Sequence, residues 1–280
     1  MDSWPFALVS AIFGALIGSF LNVVIYRVPQ GASVVAPPSA CPTCGHRIRG
    51  VDNIPMVSWL MLRGRCRDCR APIAIRYPLV ELGTALFFGL VAAWATLGHF
   101  DDLTLSMSSA GLTNAALGFV AFLYLAAVSV ALALIDLDTH RLPDKIVLPA
   151  YLVGVVLLGS ASVVTADYGR LLSAGVGLAA LWLLYFLMAV LYPGGMGFGD
   201  VKLAGVLGLF LGWLGWGPLV VGAFSAFLLG GLFAVVLLVS RLVSRKGGIP
   251  FGPWMLIGAW LGIFAGDTIW SSYLALFGLA

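Results

Sequence analysis

The sequence predicts an all-α protein: a polytopic helical membrane protein with about eight transmembrane helices and one small polar insert. Three observations carry this. The 280 residues are 61% hydrophobic and only 10% charged, and the mean hydropathy is +1.05, which no soluble domain of this size sustains. Several separate runs approach or exceed the ~18 apolar residues of a membrane span. The charged residues collect between those runs, and the basic ones collect on one side.

The candidate spans, in order, are 5–25, 77–97, 113–135, 146–163, 171–192, 201–214, 218–240 and 250–264, with a terminal apolar stretch after Asp267. The first lacks a basic leader region and a small-residue cleavage site, and so reads as a retained span rather than a removed signal. The sixth and eighth are short and glycine-rich. Three divisions follow: a first transmembrane helix over 1–25, a loop domain over 26–76 and a transmembrane core over 77–280.

Basic residues set the orientation. Arg27, Arg47, Arg49, Arg63, Arg65, Arg67, Arg70 and Arg76 lie in or at the edge of the 26–76 segment. With alternating spans, Arg141, Lys145, Lys202, Arg241, Arg245 and Lys246 share its side. Arg170 falls opposite, with Asp101, Asp102, Asp167 and Asp267. The expected arrangement is a multi-pass protein of the plasma (inner) membrane, N-terminus outside and the 26–76 loop cytoplasmic. The net charge of +3 reflects this sorting and does not point to nucleic acid as a partner.

All four cysteines lie in that loop, as Cys41-Pro42-Thr43-Cys44 and Cys66-Arg67-Asp68-Cys69. Two C-x2-C knuckles at about this separation supply four thiolates for tetrahedral zinc, although the spacer is one residue longer than usual. A disulfide or redox pair and metal-free thiols are the alternatives, and a reducing cytoplasmic loop disfavours the first. Gly45 suits the tight turn after the first knuckle. A polar insert of this size with few core residues benefits from a staple, so the prediction is a small cytoplasmic zinc-stapled insert. His46 reads as a surface residue rather than a further ligand.

The third span ends in Ile135-Asp136-Leu137-Asp138-Thr139-His140-Arg141-Leu142-Pro143-Asp144. Asp138 reads as a loop residue and Asp144 as an N-cap of the next span. Asp136 joins directly onto the apolar helix, where a carboxylate opposes the helix dipole. A second carboxylate, Asp200, closes the glycine-rich stretch Gly194-Gly195-Met196-Gly197-Phe198-Gly199-Asp200-Val201-Lys202. Its bland reading is a helix cap; its sharper one is a functional acid at membrane depth. Two spans separate Asp136 from Asp200, and two crossings return the chain to the same face, so the two acids can meet. Paired carboxylates that share a proton can act as base toward water and as acid toward a carbonyl. No H-E-x-x-H motif and no plausible Ser-His-Asp set is present. The Gly195-x-Gly197-x-Gly199 spacing lacks the preceding strand a nucleotide loop requires.

These residues also carry a resemblance. Gly18-Ser19-Phe20-Leu21-Asn22, Pro37-Pro38-Ser39-Ala40-Cys41, Asn53-Ile54-Pro55-Met56-Val57-Ser58-Trp59, Arg76-Tyr77-Pro78-Leu79-Val80-Glu81, both knuckles, Ile135-Asp136, Pro143-Asp144, Gly197-Phe198-Gly199-Asp200 and Phe251-Gly252-Pro253 are similar to the type IV prepilin peptidases, aspartyl endopeptidases with a Gly-x-Gly-Asp motif. The resemblance implies that Asp136 and Asp200 are the catalytic pair. It implies prepilin and pseudopilin substrates with a basic leader and an apolar helix in the lipid bilayer. It also implies S-adenosylmethionine as methyl donor for N-methylation of the new terminus.

Glu81, near the cytoplasmic edge of the second span, is a candidate for the methylation site, a partner for Arg76 or Lys202, or an interfacial group. Lys202 is expected to tune Asp200, meet substrate or anchor at the interface. Asn22 reads as an interhelical hydrogen-bonding group, and Trp213, Trp216, Trp254, Trp260 and Trp270 mostly as interfacial belt residues. Apart from the resemblance, a presenilin-like intramembrane aspartyl protease shares the motif. A cation transporter is the reading from another class, disfavoured by the lack of inverted repeats.

Overall fold

The structure, a computed structural model, describes residues 4–99, 108–192, 196–240 and 250–278. Gly194, Gly195, Asp101, Asp102, Arg241, Arg245 and Lys246 lie outside the described residues. Among the described residues there are helices and two isolated β-bridges, and no strand.

Among the described residues there are nine α-helices: α1 (Trp4–Arg27), α2 (Val57–Met61), α3 (Arg76–Trp94), α4 (Ser109–Thr139), α5 (Asp144–Val164), α6 (Tyr168–Leu191), α7 (Phe198–Leu214), α8 (Trp216–Val239) and α9 (Gly252–Leu276). Apolar residues surround the long helices instead of forming one stripe, as expected of segments with lipid or protein on every side. Six are long and apolar enough to cross a membrane: α1, α3 with its extension to Leu97, α4, α5, α6 and α8. α7, with 17 residues, falls short of the ~20 that a straight span requires. α9 runs past Asp267 to Leu276, where the sequence reading stopped at 264. A single exposed carboxylate does not break a helix, and no proline follows it.

The chain divides into two compact units, Met1–Asp101 with Phe122–Ala131, and Asp102–Ala121 with Leu132–Ala280. In the first, α1 packs on α3 through glycine. A Cβ on Gly18 would lie 2.8 Å from Cα of Glu81, and one on Gly14 would lie 2.7 Å from Cβ of Phe88. Asn22 donates from its side-chain amide to the Tyr77 carbonyl at 3.1 Å, which is the interhelical role expected of it.

In the second unit, α6 packs on α7 and α8 on α9. A Cβ on Gly177 would strike the Gly208 carbonyl, and one on Gly212 would come within 2.5 Å of the Ser173 carbonyl. Small residues let helix backbones touch where no hydrophobic effect drives them together. Trp213 is 1% exposed and donates from Nε1 to Ser162 Oγ at 2.9 Å. It and Trp260, 6% exposed, are core residues rather than belt residues. An indole N–H needs a partner when buried, and Ser162 gives Trp213 one.

Candidate functional site

Asp136 and Asp200 both belong to the second unit. Asp136 is in the last turn of α4 and only 4% exposed. The helix closes on His140, whose φ of +52° is left-handed and whose amide donates to the Asp136 carbonyl at 2.8 Å. The side chain of Asp136 accepts a hydrogen bond from the Gly252 amide at 3.1 Å. Gly252 is the first residue of α9, so the positive end of that helix faces the carboxylate. The unfavourable dipole of α4 is thereby countered by a second helix.

Asp200 is in the first turn of α7, half-buried, and its Oδ2 accepts from the Gly197 amide at 3.1 Å. It does support the helix start, by reaching back to the residue before the helix. It is also close enough to feel the charge of Asp136. Leu142 sits between the two sites: a Cβ on Gly199 would lie 3.0 Å from Cβ of Leu142, and one on Gly252 would lie 3.3 Å from its Cδ2. Each acid thus has one carboxylate oxygen held by a backbone N–H.

The surroundings differ from expectation at Asp144 and Lys202. Asp144 does not cap α5; Pro143 occupies the cap and Asp144 opens the helix. Its carboxylate pairs with Lys202, whose Nζ lies 2.7 Å from Oδ1 and 2.9 Å from Oδ2. Lys202 is therefore engaged with Asp144, not Glu81, and its Nζ also lies over the Phe198 ring at 5.3 Å. Two groups escaped the sequence reading. Gly252 contributes through its backbone, which leaves no side-chain signal. Tyr185, 2% exposed, lies where it feels the charge of Asp200, and tyrosine in an apolar run reads simply as core.

In the first unit, the thiol sulfurs of Cys41, Cys44, Cys66 and Cys69 all lie within 4.8 Å of one another, and all four cysteines are unpaired by disulfide. Both knuckles are built alike. The Cys41 amide donates to His46 and the Gly45 amide to Cys41, at 2.9 Å each. The Cys66 amide donates to Ala71 at 2.8 Å and the Arg70 amide to Cys66 at 3.1 Å. Gly45 and Arg70 take the same left-handed turn, φ +73° and +61°, so an arginine stands where the first knuckle has glycine. His46 is exposed and stands outside the cluster.

Backbone hydrogen bonding at Cys44, then at Thr43, pulls the Cys41 thiol down to about 6. At Cys44 a backbone bond at His46 favours the thiolate, but desolvation and the neighbouring Cys69 and Cys41 prevail and push it up to about 12. A backbone bond at Ala71 likewise favours the Cys69 thiolate, yet desolvation, with Cys41 and Cys66 beside it, raises that thiol. The Cys41 thiolate forms readily while Cys44 and Cys69 resist joining it, which is the electrostatic setting a bound cation reverses. The cluster could hold a metal ion.

Two ion pairs tie the second knuckle to residues 49–53. Arg67 forks onto Asp52, and Arg49 reaches Asp68 at 3.2 Å. The Arg67 guanidinium holds the Asp52 carboxyl below its usual range. Glu81 is 9% exposed, and its Oε2 accepts from the Met56 amide at 2.6 Å. Met56 is itself in a left-handed conformation, φ +57°, just before α2.

Comparison with known proteins extends these observations. Residues 12–95 match the model of the bacterial peptidase A24 N-terminal domain, and residues 123–239 match that of the type IV leader peptidase family. The chain is 36% identical to the prepilin leader peptidase/N-methyltransferase of Aeromonas salmonicida (strain A449), covering 97% of this chain and 95% of that one. It is 35% identical to the protein of that name from Pseudomonas putida, over 99% and 97%. The identity to its Neisseria gonorrhoeae counterpart is 37%, over 95% and 93%. No solved structure matches significantly.

Proposed function

The chain belongs to the type IV leader peptidase family, and from that premise we propose that Asp136 and Asp200 are the catalytic dyad of a membrane-embedded aspartyl endopeptidase. The observation that carries this reading is a pair of carboxylates 64 positions apart in one compact unit, each oriented by a backbone N–H, with Leu142 packed against the glycine beside Asp200 and the glycine that holds Asp136. The substrates are prepilins and pseudopilins, cut between a short basic leader and an apolar helix. Leader removal is followed by N-methylation of the new terminal residue, with S-adenosylmethionine as donor.

In the working state one aspartate is ionised and the other protonated. The ionised carboxylate takes a proton from water as its oxygen attacks the scissile carbonyl carbon, and the protonated partner donates toward the carbonyl oxygen. Collapse of the tetrahedral adduct breaks the C–N bond, and the departing amine receives a proton from the dyad. The amides of Gly252 and Gly197 each occupy one oxygen of their acid and leave the other for this exchange.

The protein is a multi-pass protein of the inner membrane, with the dyad and the 26–76 loop on the cytoplasmic side, where the arginines collect. A dyad at that edge reaches the junction between a basic leader kept in water and a helix kept in lipid. The metal of the loop is zinc, held by Cys41, Cys44, Cys66 and Cys69. Cys41 Sγ and Cys69 Sγ are 3.7 Å apart, against the ~3.8 Å edge of a tetrahedron with ~2.3 Å Zn–S bonds. Its role is to staple the loop.

The test is mass spectrometry of a prepilin incubated with the full-length protein in detergent or vesicles. Loss of the leader and a gain of one methyl group are expected. A prepilin left intact by the wild-type protein, or cleaved at an undiminished rate by Asp200→Asn, overturns the assignment.

A further inference from the structure

The segment between α1 and α3 is rich in arginine, yet its residues 53–62 carry no charge. This stretch, Asn53-Ile54-Pro55-Met56-Val57-Ser58-Trp59-Leu60-Met61-Leu62, includes α2. Its polar groups turn inward. Ser58 is buried, and Trp59 Nε1 donates to the Ile73 carbonyl at 3.1 Å. Its apolar groups turn outward: Val57, Leu60 and Met61 share one face of α2 at i, i+3 and i+4 and are all exposed. We infer that this face lies in the bilayer interface, with phospholipid acyl chains as its partner, so that α2 fastens the loop to the membrane. The inference rests on α1 and α3 crossing the bilayer and adds a third point of membrane contact between them.

Depth is the first support. The amide of Met56, just before α2, donates to the Glu81 carboxylate at 2.6 Å. Glu81 is five residues past Arg76, the first residue of α3, which is ~7 Å along the helix axis. Glu81 also packs against Gly18, nine residues before Arg27 at the end of α1, or ~13 Å by the same rise. Asn53 and Pro55 line a cavity with Leu16, Ser19, Phe20 and Val23 of α1, which sets them at that level too. Arg27 and Arg76 stand where the two spans end, as basic residues do at a membrane boundary. The chain therefore enters α2 from the apolar side of that boundary. Interfacial helices bury their apolar face ~5–10 Å into the region between headgroups and acyl chains.

Hydrogen bonding is the second. Backbone that meets lipid must satisfy its own polar groups. The Ile54 amide donates to Ser58 Oγ at 3.0 Å, and Ser58 Oγ donates to the Val51 carbonyl at 2.9 Å. The amides of Ser58, Leu60 and Leu62 donate to the carbonyls of Ile54, Met56 and Ser58 at 3.1, 3.0 and 2.9 Å. Pro55 has no amide to satisfy. Glu81 is a positioning residue here: a carboxylate at this depth is costly unless paired, and its bond to the left-handed Met56 fixes the head of α2. Charge then selects lipid over a protein occupant. Arg63 and Arg65 follow α2 closely and are exposed, which suits phosphate headgroups above an inserted apolar face. A prepilin would bring a basic leader beside its apolar helix, and the two arginines would repel it.

The test is photocrosslinking of the full-length protein in vesicles of phosphatidylethanolamine and phosphatidylglycerol, with a benzophenone amino acid in place of Leu60 or of Met61. Both side chains are exposed, so the exchange spares the packing, and thermal melting checks folding. Each position should yield protein heavier by the mass of one phospholipid. Phe13, an exposed residue within α1, should do the same. Adducts at Phe13 with none at Leu60 or Met61 overturn the inference and leave the spans standing. Loss of the Phe13 adduct as well removes the membrane reading of α1, and the inference falls with it. Adducts at Leu60 with added prepilin, or with a second copy of the chain, in place of lipid identify a protein-docking face and also overturn it. Leu60→Asp with Met61→Asp should open the 26–76 loop of vesicle-bound protein to limited proteolysis; a loop as resistant as in the wild type denies the anchor.

Discussion

The amide of Gly252 and the carboxylate of Asp136 meet at 3.1 Å across 116 positions of sequence. A Cβ at 252 would lie 2.7 Å from Asp136 Oδ2, so the contact requires glycine by space alone. The start of one helix is thereby fitted to the end of another, and the acid gains a donor that its own helix cannot supply.

Gly252→Ala should therefore displace the Asp136 carboxylate without removing it. A misplacement of this kind costs roughly 100-fold in rate. The loss should appear in kcat for prepilin cleavage with little change in KM. Equal rates for Gly252→Ala and wild type would mean that this amide does not orient the acid.

Asp136→Asn and Asp200→Asn keep side-chain shape but cannot pass a proton. Each should reduce cleavage by ~100- to 10,000-fold, and the double variant should be little worse than either single one, because groups acting as a unit are not additive. Asp138→Asn should lose at most a modest factor. Activity should also fall toward both extremes of pH, since fully charged and fully neutral pairs lack the working proton state. A dead Asp138→Asn beside an active Asp136→Asn would move the assignment to the neighbouring acid.

Metal binding to the thiol cluster should weaken as pH falls, because protons compete for the same sulfurs. Without metal, the lowered Cys41 thiol contributes stability that is present above its unfolded value of 9.0 and lost as pH falls through about 6. Cys44 works in the opposite sense: its contribution is full below 9.0 and lost as pH rises toward about 12. Elemental analysis across a pH series should show metal released on acidification. Cys44→Ser with Cys66→Ser, or a chelator, should expose the 26–76 loop to limited proteolysis. Metal-free protein with an equally resistant loop would deny the staple.

Gly208→Ala should destabilise the α6–α7 pair. The added Cβ would strike the Gly177 carbonyl and come within 3.0 Å of the Leu178 Cα, and backbone cannot swing aside as a side chain can. Overpacking of this kind costs typically ~1–3 kcal/mol, sometimes more. A lowered melting temperature in detergent is expected; an unchanged one would show that the two helices can part at little cost.

The sequence carried the helical class because hydropathy requires no knowledge of packing, and the meeting of Asp136 and Asp200 because counting crossings requires only parity. The knuckles were legible from Cys41, Cys44, Cys66 and Cys69, since metal-ligand spacing is local. What stayed hidden depends on long-range backbone geometry. Nothing in Gly252 announces a hydrogen-bond donor, and Arg70 gives no sign that its backbone copies Gly45. Asp144 looked like a cap because Asp caps helices often, yet Pro143 took that position and Lys202, 58 residues away, took its charge. Trp213 looked interfacial by type, and only its bond to Ser162 shows it to be core.

Leu142 touches the glycine before Asp200 and the glycine that serves Asp136. Its side chain is a gauge: the isobutyl group sets how close the start of the Asp200 helix can settle to the start of the helix whose amide holds Asp136. Exchanging that one apolar residue for a larger or smaller one would recalibrate the gap between the aspartates while leaving every charged group in the protein as it is.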